Sequence, residues 1–510
     1  MNRARRVVLG TSLTVHDIDA VARQHATVAL EATVRQRLER SYAFVQQLAE
    51  RAIPVYGLTT GCGPLAAHRI PPEQRQEFQR NLVRSHAVTL GAPHPTDLVR
   101  AAIAVRAQVF TYGYSGVDPA TVDVLVGLLN NGLHPIVREV GGVGASGDLV
   151  ELAQLALAVI GEGMVDVGGT STAARDALRA AGITPLVPRF REGLALMNGT
   201  SFHTGAAAVL LARAHDIAAA AQVAAAMIFD ALHGNLDALH PSLQAVRPHA
   251  GQRNVATRLS AMLAGSRLVR VDDQSADSQD AYTLRCIPQV LGPVIEILHG
   301  AQTTIETEIN SAIDNPLFLA VEQRVVHGGN FHGQPVAMAL DQVKLAMVEL
   351  GIVAERRLAR LLDASLNRGL PAFLISNGAG QRSGFMGLQY CASAMAADNA
   401  VLAAPTSVRS VPTNANNQDV VSMGMVAARH ARQVVDNAER MVAIEMLCAA
   451  QALDLRGAAH AGIGSRAAHT LIRAQTTPLV EDRPLHDDVE TVCRLIANGS
   501  LVSAVDAALA

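Results

Sequence analysis

The amino-acid sequence predicts a mainly α fold: a long-helix bundle with a smaller, mixed N-terminal part that carries a glycine-rich loop. Three observations lead there. Residues 205–232, 335–366 and 420–455 are each rich in Ala, Leu, Val and Met. They are far longer than an average globular helix of about 11–12 residues and apolar around much of their circumference, as a buried helix is. The 510-residue chain is 49% hydrophobic and only 17% charged, yet no 18-residue run lacks charges or several polar groups. The richest stretch, 205–232, is broken by Arg213, His215 and Asp216. Burial of surface by self-association explains such a composition better than membrane spans do. Finally, the connections between the long stretches are rich in Asn, Gln, Gly and Pro, and polar loops at the ends of bundle helices are where sites can be assembled.

Taken in order, the first 200 residues mix helices with short extended pieces. Residues 7–15 alternate loosely, and Met164-Val165-Asp166-Val167 runs as a strand into a Gly168-Gly169 turn. Residues 149–156 read as a helix with Asp148 or Ser146 available as N-cap. The patterns divide the chain into an N-terminal domain, residues 1–200, and a long-helix, oligomerisation domain, residues 201–510. No internal repeat, low-complexity tract or long linker is visible.

Several function classes fall away. A net charge of −3 without a like-charge run gives no footprint for nucleic acid. Cys62, Cys286, Cys391, Cys448 and Cys493 are scattered and form no CxxC pair, which indicates neither a disulfide framework nor a zinc cluster. The apolar run after Arg3, Arg5 and Arg6 is too short for a signal peptide, so a cytoplasmic location is expected. Lys344 is the single lysine and sits in a helical pattern, which disfavours pyridoxal-phosphate and P-loop chemistry.

Seven segments concentrate small and polar residues. Gly141-Gly142-Val143-Gly144-Ala145-Ser146-Gly147-Asp148 has almost no side-chain bulk and can enter positive-φ conformations. By itself it reads as a capped helix start or an anion cradle. Tyr56 lies beside a Gly/Thr turn ending in Gly63, where a phenol on a loop could move a proton. Ser85 and His86 lie near a helix, where a histidine is by default structural, and Asn198-Gly199 is an ordinary turn pair. Tyr282 and Arg285, three apart beyond Gln279, share a helix face and suit a carboxylate clamp. Asn414-Ala415-Asn416-Asn417-Gln418 gathers amides at the start of a long helix. His327 and His332, on either side of Phe331, are separated by glycine turns and make a weak metal pair, so no metal is expected.

Together these segments resemble the aromatic amino acid ammonia-lyase family, which includes histidine, phenylalanine and tyrosine ammonia-lyases and related aminomutases. The motifs are YGLTTGCGPLA, NLVRSH, GASGDL, EGLALMNGTS, QDAYTLRCIPQ, IDNP with GGNFHGQP, and NNQDVVSMG, in that order along the chain. In that family an Ala-Ser-Gly triplet cyclises autocatalytically, losing two waters, to 4-methylidene-imidazol-5-one. The resemblance makes Ala145, Ser146 and Gly147 that group, with no metal or diffusible cofactor. Gly147 would supply an unhindered amide nitrogen and Ser146 the exocyclic alkene. An α-ammonium leaves poorly, and bonding the amine to the alkene makes it easier to expel while a base removes the β-proton. The resemblance casts Tyr56 as that base, which calls for a phenol pKa depressed from about 10. It also casts Arg285 as the substrate-carboxylate partner, assisted by Asn417. Asn198, Tyr282 and Gln279 then support the prosthetic group and position the amine. Gly63, Ser85, His86 and Gln418 fall on the substrate side, and Phe331 lines a pocket of another subunit. A homotetramer with each site built from three chains is implied, acting on a small aromatic amino acid.

Histidine lyases typically carry Glu where this chain has Gln418 and His where it has Val420, and phenylalanine lyases an apolar pair where it has Ser85-His86. The combination looks most like bacterial tyrosine ammonia-lyases. Conversion of L-tyrosine to p-coumarate is therefore the expectation, with histidine to urocanate, or a tyrosine or phenylalanine 2,3-aminomutase, as the alternatives. The sequence departs from the family pattern at Cys62 (usually Phe), Gln108 (usually Asn), Glu151 (commonly Pro) and Gln154 (commonly His).

Overall fold

The computed structural model describes residues 5–51, 53–271 and 279–510. Among them are nineteen α-helices and a few small two- and three-stranded sheets, the mainly α architecture expected. The chain forms two compact units. One comprises Met1–Ala212, Ala301–Asp341 and Pro405–Arg429, the other Arg213–Gly300, Gln342–Ala404 and His430–Ala510.

In the first unit the helices that bear on the site are α1 (Arg75–His86), α2 (Thr96–Thr111), α3 (Leu149–Val159), α4 (Glu192–Met197) and the start of α5 (Ser201–Ala231). Helix α2 is buried from Leu98 to Thr111. Its neighbour α5 approaches so closely that a Cβ on Gly205 would lie 2.7 Å from the Ala101 backbone. Arg106, buried in α2, donates to the carbonyls of Ala195 and Asn198 (2.7 Å) and to Ser201 Oγ (3.2 Å). A guanidinium at the C-terminal carbonyls of α4 complements the helix dipole. Arg191 and Asp314 form a fully buried pair (2.8 Å) beside the Phe318 ring. The loosely alternating N-terminal stretch supplies a strand, Arg6–Leu9, paired parallel with Thr27–Leu30. Met164–Val167 turns through Gly168-Gly169 onto Thr170–Ala173. Leu90–Pro93 pairs with Arg138–Val140, which leads directly into the glycine-rich loop.

The second unit holds the bundle, from the rest of α5 with parts of α6 (Ile287–Ile309), α7 (Gln334–Leu362) and α8 (Gly424–Arg456). Helices α7 and α8 meet where a Cβ on Gly351 would lie 3.1 Å from Met441 Sδ. Arg357 and Glu445 pair there, fully buried (Nη2–Oε2 3.0 Å). Arg213 reaches Asp436 (2.7 Å) and Glu439 (3.0 Å). Lys344 is indeed a helix-interior residue, buried and donating to the Ala404 carbonyl. By length and composition α5 could cross a membrane, but 78% of its most apolar window is buried within the fold, as in a core helix.

Candidate active site

The glycine-rich loop folds back on itself. Gly144 and Gly147 bridge each other, leaving Ala145 and Ser146 at the tip of a tight turn. Ser146 takes a positive φ of 53°, uncommon for a residue with a Cβ. Gly147, at φ 79°, admits no side chain: a Cβ there would lie 2.1 Å from the Gly199 carbonyl oxygen. That close approach is cemented on both sides, since Gly199 N–H donates to Ser146 O (3.0 Å) and Asp148 N–H donates to Gly199 O (2.8 Å). The Asn198-Gly199 turn is thereby stitched to the triplet.

Asp148 does not cap its own helix. No N–H of α3 bonds its side chain. Instead its carboxylate, fully buried, accepts from the N–H groups of Phe202 (2.8 Å) and His203 (2.9 Å), in the first turn of α5, and pairs with His203 Nδ1 (2.6 Å). The expectation of a local cap is thus corrected: the loop delivers Asp148 to another helix, whose N–H groups have no intrahelical acceptor. Burial lowers the pKa of His203, but Asp148, with Glu308 and Glu151 behind it, outweighs burial and holds the imidazole above its usual value. Glu308 accepts from Thr200 Oγ1 (2.5 Å). His203 lies between glycines; a Cβ on Gly333 or Gly424 would sit 2.4 or 2.9 Å from its ring.

A cavity of about 780 Å³ opens on the turn. Tyr56, Gly63, Ser85, His86, Ala145, Ser146, Gly147, Asn198 and Gln418, all expected at the site, line it. Gln79 of α1 places two of its walls, donating to Gly57 O (2.9 Å) and accepting from Leu194 N–H (3.0 Å). His86 Nδ1 lies 2.8 Å from the Leu82 carbonyl. Since a carbonyl only accepts, that nitrogen carries the proton, and in the neutral ring Nε2 is an acceptor. Gln418 donates through Nε2 to Ser146 Oγ (3.1 Å) and accepts from Thr413 Oγ1 (2.9 Å). The amide segment expected to open a helix stays a loop, because Asn414, Ala415 and Asn416 all take positive φ; α8 begins only at Gly424.

Tyr56 departs from expectation. Its hydroxyl accepts the Gly63 N–H (2.8 Å), which favours phenolate. Burial, and next the Cys62 thiol against it, nevertheless push its pKa above the usual value rather than below. The Cys62 thiol is itself pushed up to about 11 by burial.

The remaining site candidates do not line this cavity. Gln279, Tyr282 and Arg285 lie in the second unit and engage one another: Arg285 bonds Gln279 and stacks 4.7 Å over the Tyr282 ring. Tyr282 is 71% exposed. Phe331 is half-buried in the loop before α7, and Asn417 is exposed. Among the described residues no group of three or more His, Cys, Asp or Glu could hold a metal. Asp148, His203, Glu308 and Arg106 went unrecognised as supports of the triplet; the only sequence signal was the Asp after Ala-Ser-Gly.

Residues 13–474 match the family model described as aromatic amino acid lyase. The chain belongs to that family. It is 45% identical to a histidine ammonia-lyase of Symbiobacterium thermophilum, over 98% of each chain. Among solved structures it is similar to the tyrosine aminomutase of Streptomyces globisporus (37% identity, TM-score 0.94, 98% of each chain). It is also similar to the histidine ammonia-lyase of Trypanosoma cruzi (37%, TM-score 0.91, 99% of this chain and 95% of that one). Full-length relatives at 39–45% identity are named histidine ammonia-lyase. They overturn the expected tyrosine ammonia-lyase in favour of histidine. Gln418 was a poor guide to the substrate: it lines the cavity, its amide is shared with Thr413 and, before the turn cyclises, with Ser146 Oγ, and a neutral side chain there does not by itself exclude an imidazole.

The triplet fits the family's prosthetic group. Ala145, Ser146 and Gly147 share one tight turn, Gly147, whose nitrogen must attack the Ala145 carbonyl, has no side chain, and all three face the cavity.

Proposed function

We propose that this member of the family is a histidine ammonia-lyase, eliminating ammonia from L-histidine to give urocanate. The observation that carries the chemistry is that the strained Ala145-Ser146-Gly147 turn faces the same cavity as Tyr56 and His86; the full-length histidine ammonia-lyase relatives support the substrate. The 4-methylidene-imidazol-5-one formed by the triplet supplies an electrophilic alkene that turns the α-ammonium into a leaving group. Tyr56 takes the β-proton as phenolate, a form the Gly63 N–H supports against the burial that raises its pKa, and the carbon–nitrogen bond breaks as the carbon–carbon double bond forms. Asn198, buried with its Oδ1 unpartnered, is suited to the substrate amine. His86 Nε2, an acceptor in the neutral ring, is suited to the N–H of the substrate imidazole. Ser85, Gly63 and Gln418 line that ring's environment. Arg285, with its neighbours Tyr282 and Gln279, and Phe331 reach the site from other subunits of a homotetramer, Arg285 holding the carboxylate with Asn417. The exposure of Tyr282 and the apolar composition support that assembly.

A second reading, a 2,3-aminomutase, is favoured by the likeness to a tyrosine aminomutase. One experiment separates the two. Purified protein is given L-histidine, L-tyrosine and L-phenylalanine in turn, and products are resolved by chromatography. Urocanate and ammonia formed from histidine faster than any product from the others supports the proposal. A β-amino acid as main product supports the second reading, and faster turnover of tyrosine than histidine overturns the substrate.

A further inference from the structure

Glu151, where the family commonly has Pro, is a buried carboxyl that none of the chemistry above uses. It stands at the third position of α3, where an acidic side chain ordinarily reaches solvent and gains from the helix dipole. Here it is wholly buried and turns back onto the loop. Oε1 accepts the Gly142 N–H at 2.6 Å, while Oε2 has no partner. The carboxyl lies so close to the chain that a Cβ on Gly142 would sit 2.3 Å from Oε2 and 2.8 Å from Oε1. A side chain at residue 142 would displace the Glu151 carboxyl. Gly141 and Gly142 both line the cavity, and Ala145 follows three residues later.

The groups facing Glu151 are few. Asp148 at the loop's end opposes its ionisation, and His203 of α5 favours it; Glu308 of α6 acts on His203 from behind. Burial first, and Asp148 second, push the Glu151 carboxyl up to about 7. Near neutral pH it therefore exists in two forms. The carboxylate makes a charge-assisted bond to Gly142, whereas the neutral acid makes an ordinary and weaker one.

We propose that Glu151 is a positioning residue for the reactive triplet, holding the Gly141–Gly142 backbone through the Gly142 N–H, and that its ionisation tightens this hold. Its effect on turnover rests on the lyase reading; its effect on stability does not. A carboxyl raised in the fold binds more protons there than in the unfolded chain between the two pKa values. Stability from this group is therefore full at low pH and falls as pH rises through the folded value. Loop tightening runs the other way, so turnover gains a rise near pH 7.

The test compares wild type, Glu151→Gln and Glu151→Ala over about pH 5 to 9. Gln keeps an acceptor for Gly142 but cannot ionise; Ala removes the acceptor. The thermal midpoint of Glu151→Gln should gain on wild type as pH rises from 5 to 8, and the wild-type rise in kcat near pH 7 should flatten. Glu151→Ala should lose roughly tenfold to a hundredfold in kcat, as misplacement of a reactive group does, and Gln should recover much of that. A midpoint difference independent of pH overturns the ionisation of Glu151 whether or not any amino acid is turned over. An unchanged rise in Glu151→Gln, or full kcat in Glu151→Ala, overturns the positioning role.

Discussion

Replacing Asp148 by Ala should destabilise the protein far more than its place in a surface-like loop motif suggests. The substitution strands three buried donors at once: the N–H groups of Phe202 and His203 and the His203 imidazole, now 2.8, 2.9 and 2.6 Å from the carboxylate. A buried donor left unsatisfied costs about 1–3 kcal/mol, and removing one member of a buried ionic pair about 3–5 kcal/mol. Since the three share one acceptor group, the terms overlap, and about 4 kcal/mol is expected. With a urea dependence of about 3 kcal/mol per molar, the unfolding midpoint falls by more than about 1 M. Asp148→Asn, which keeps one acceptor oxygen, should lose about half as much. The pH dependence gives a second readout. His203 is raised above its usual value by Asp148, so this pair contributes stability that is full below the unfolded histidine pKa and is lost as pH rises through the folded one. That slope should vanish in Asp148→Ala. A midpoint within about 0.2 M urea of wild type, with the slope intact, would refute the role given to Asp148.

Three further outcomes are expected. Asp314→Ala, which strands the fully buried Arg191 guanidinium, should cost about 3–5 kcal/mol in denaturant unfolding, and adding Arg191→Met should recover most of it. Cys62→Ala removes the thiol that helps raise Tyr56; the alkaline rise of kcat/KM should move to lower pH, and an unmoved profile would contradict Tyr56 as the base. Gln418→Glu puts a carboxylate beside the cavity and should raise the ratio of histidine to tyrosine turnover by about tenfold, the size of one charged hydrogen bond. The ratio is read from initial rates.

The long helices were legible because their signal is local. Residues 205–232, 335–366 and 420–455 correspond to Ser201–Ala231, Gln334–Leu362 and Gly424–Arg456. Their boundaries shift where tertiary contacts intervene: α5 starts early because Asp148 satisfies its first turn, and α8 starts late because the amide segment winds through positive φ. The cavity members Tyr56, Ser85, His86, Ala145, Ser146, Gly147, Asn198 and Gln418 were legible through their motifs. Their supports were not. Asp148 reaches a helix more than fifty residues away, and Glu151 turns inward from a position whose usual partner is solvent. Neither direction is encoded in spacing. The lowered phenol expected of Tyr56 failed for a similar reason, since burial depends on what packs around the loop. Substrate identity was misread from Gln418, a neutral side chain that lines the cavity without excluding an imidazole from it.

The most direct measurement is the intact mass of the purified chain. Cyclisation of Ala145-Ser146-Gly147 predicts a wild-type chain lighter than its sequence by two waters, the loss mapping to the peptide that holds the turn, and a Ser146→Ala chain at full sequence mass without activity. A wild-type chain at full sequence mass that still eliminates ammonia from histidine would contradict it.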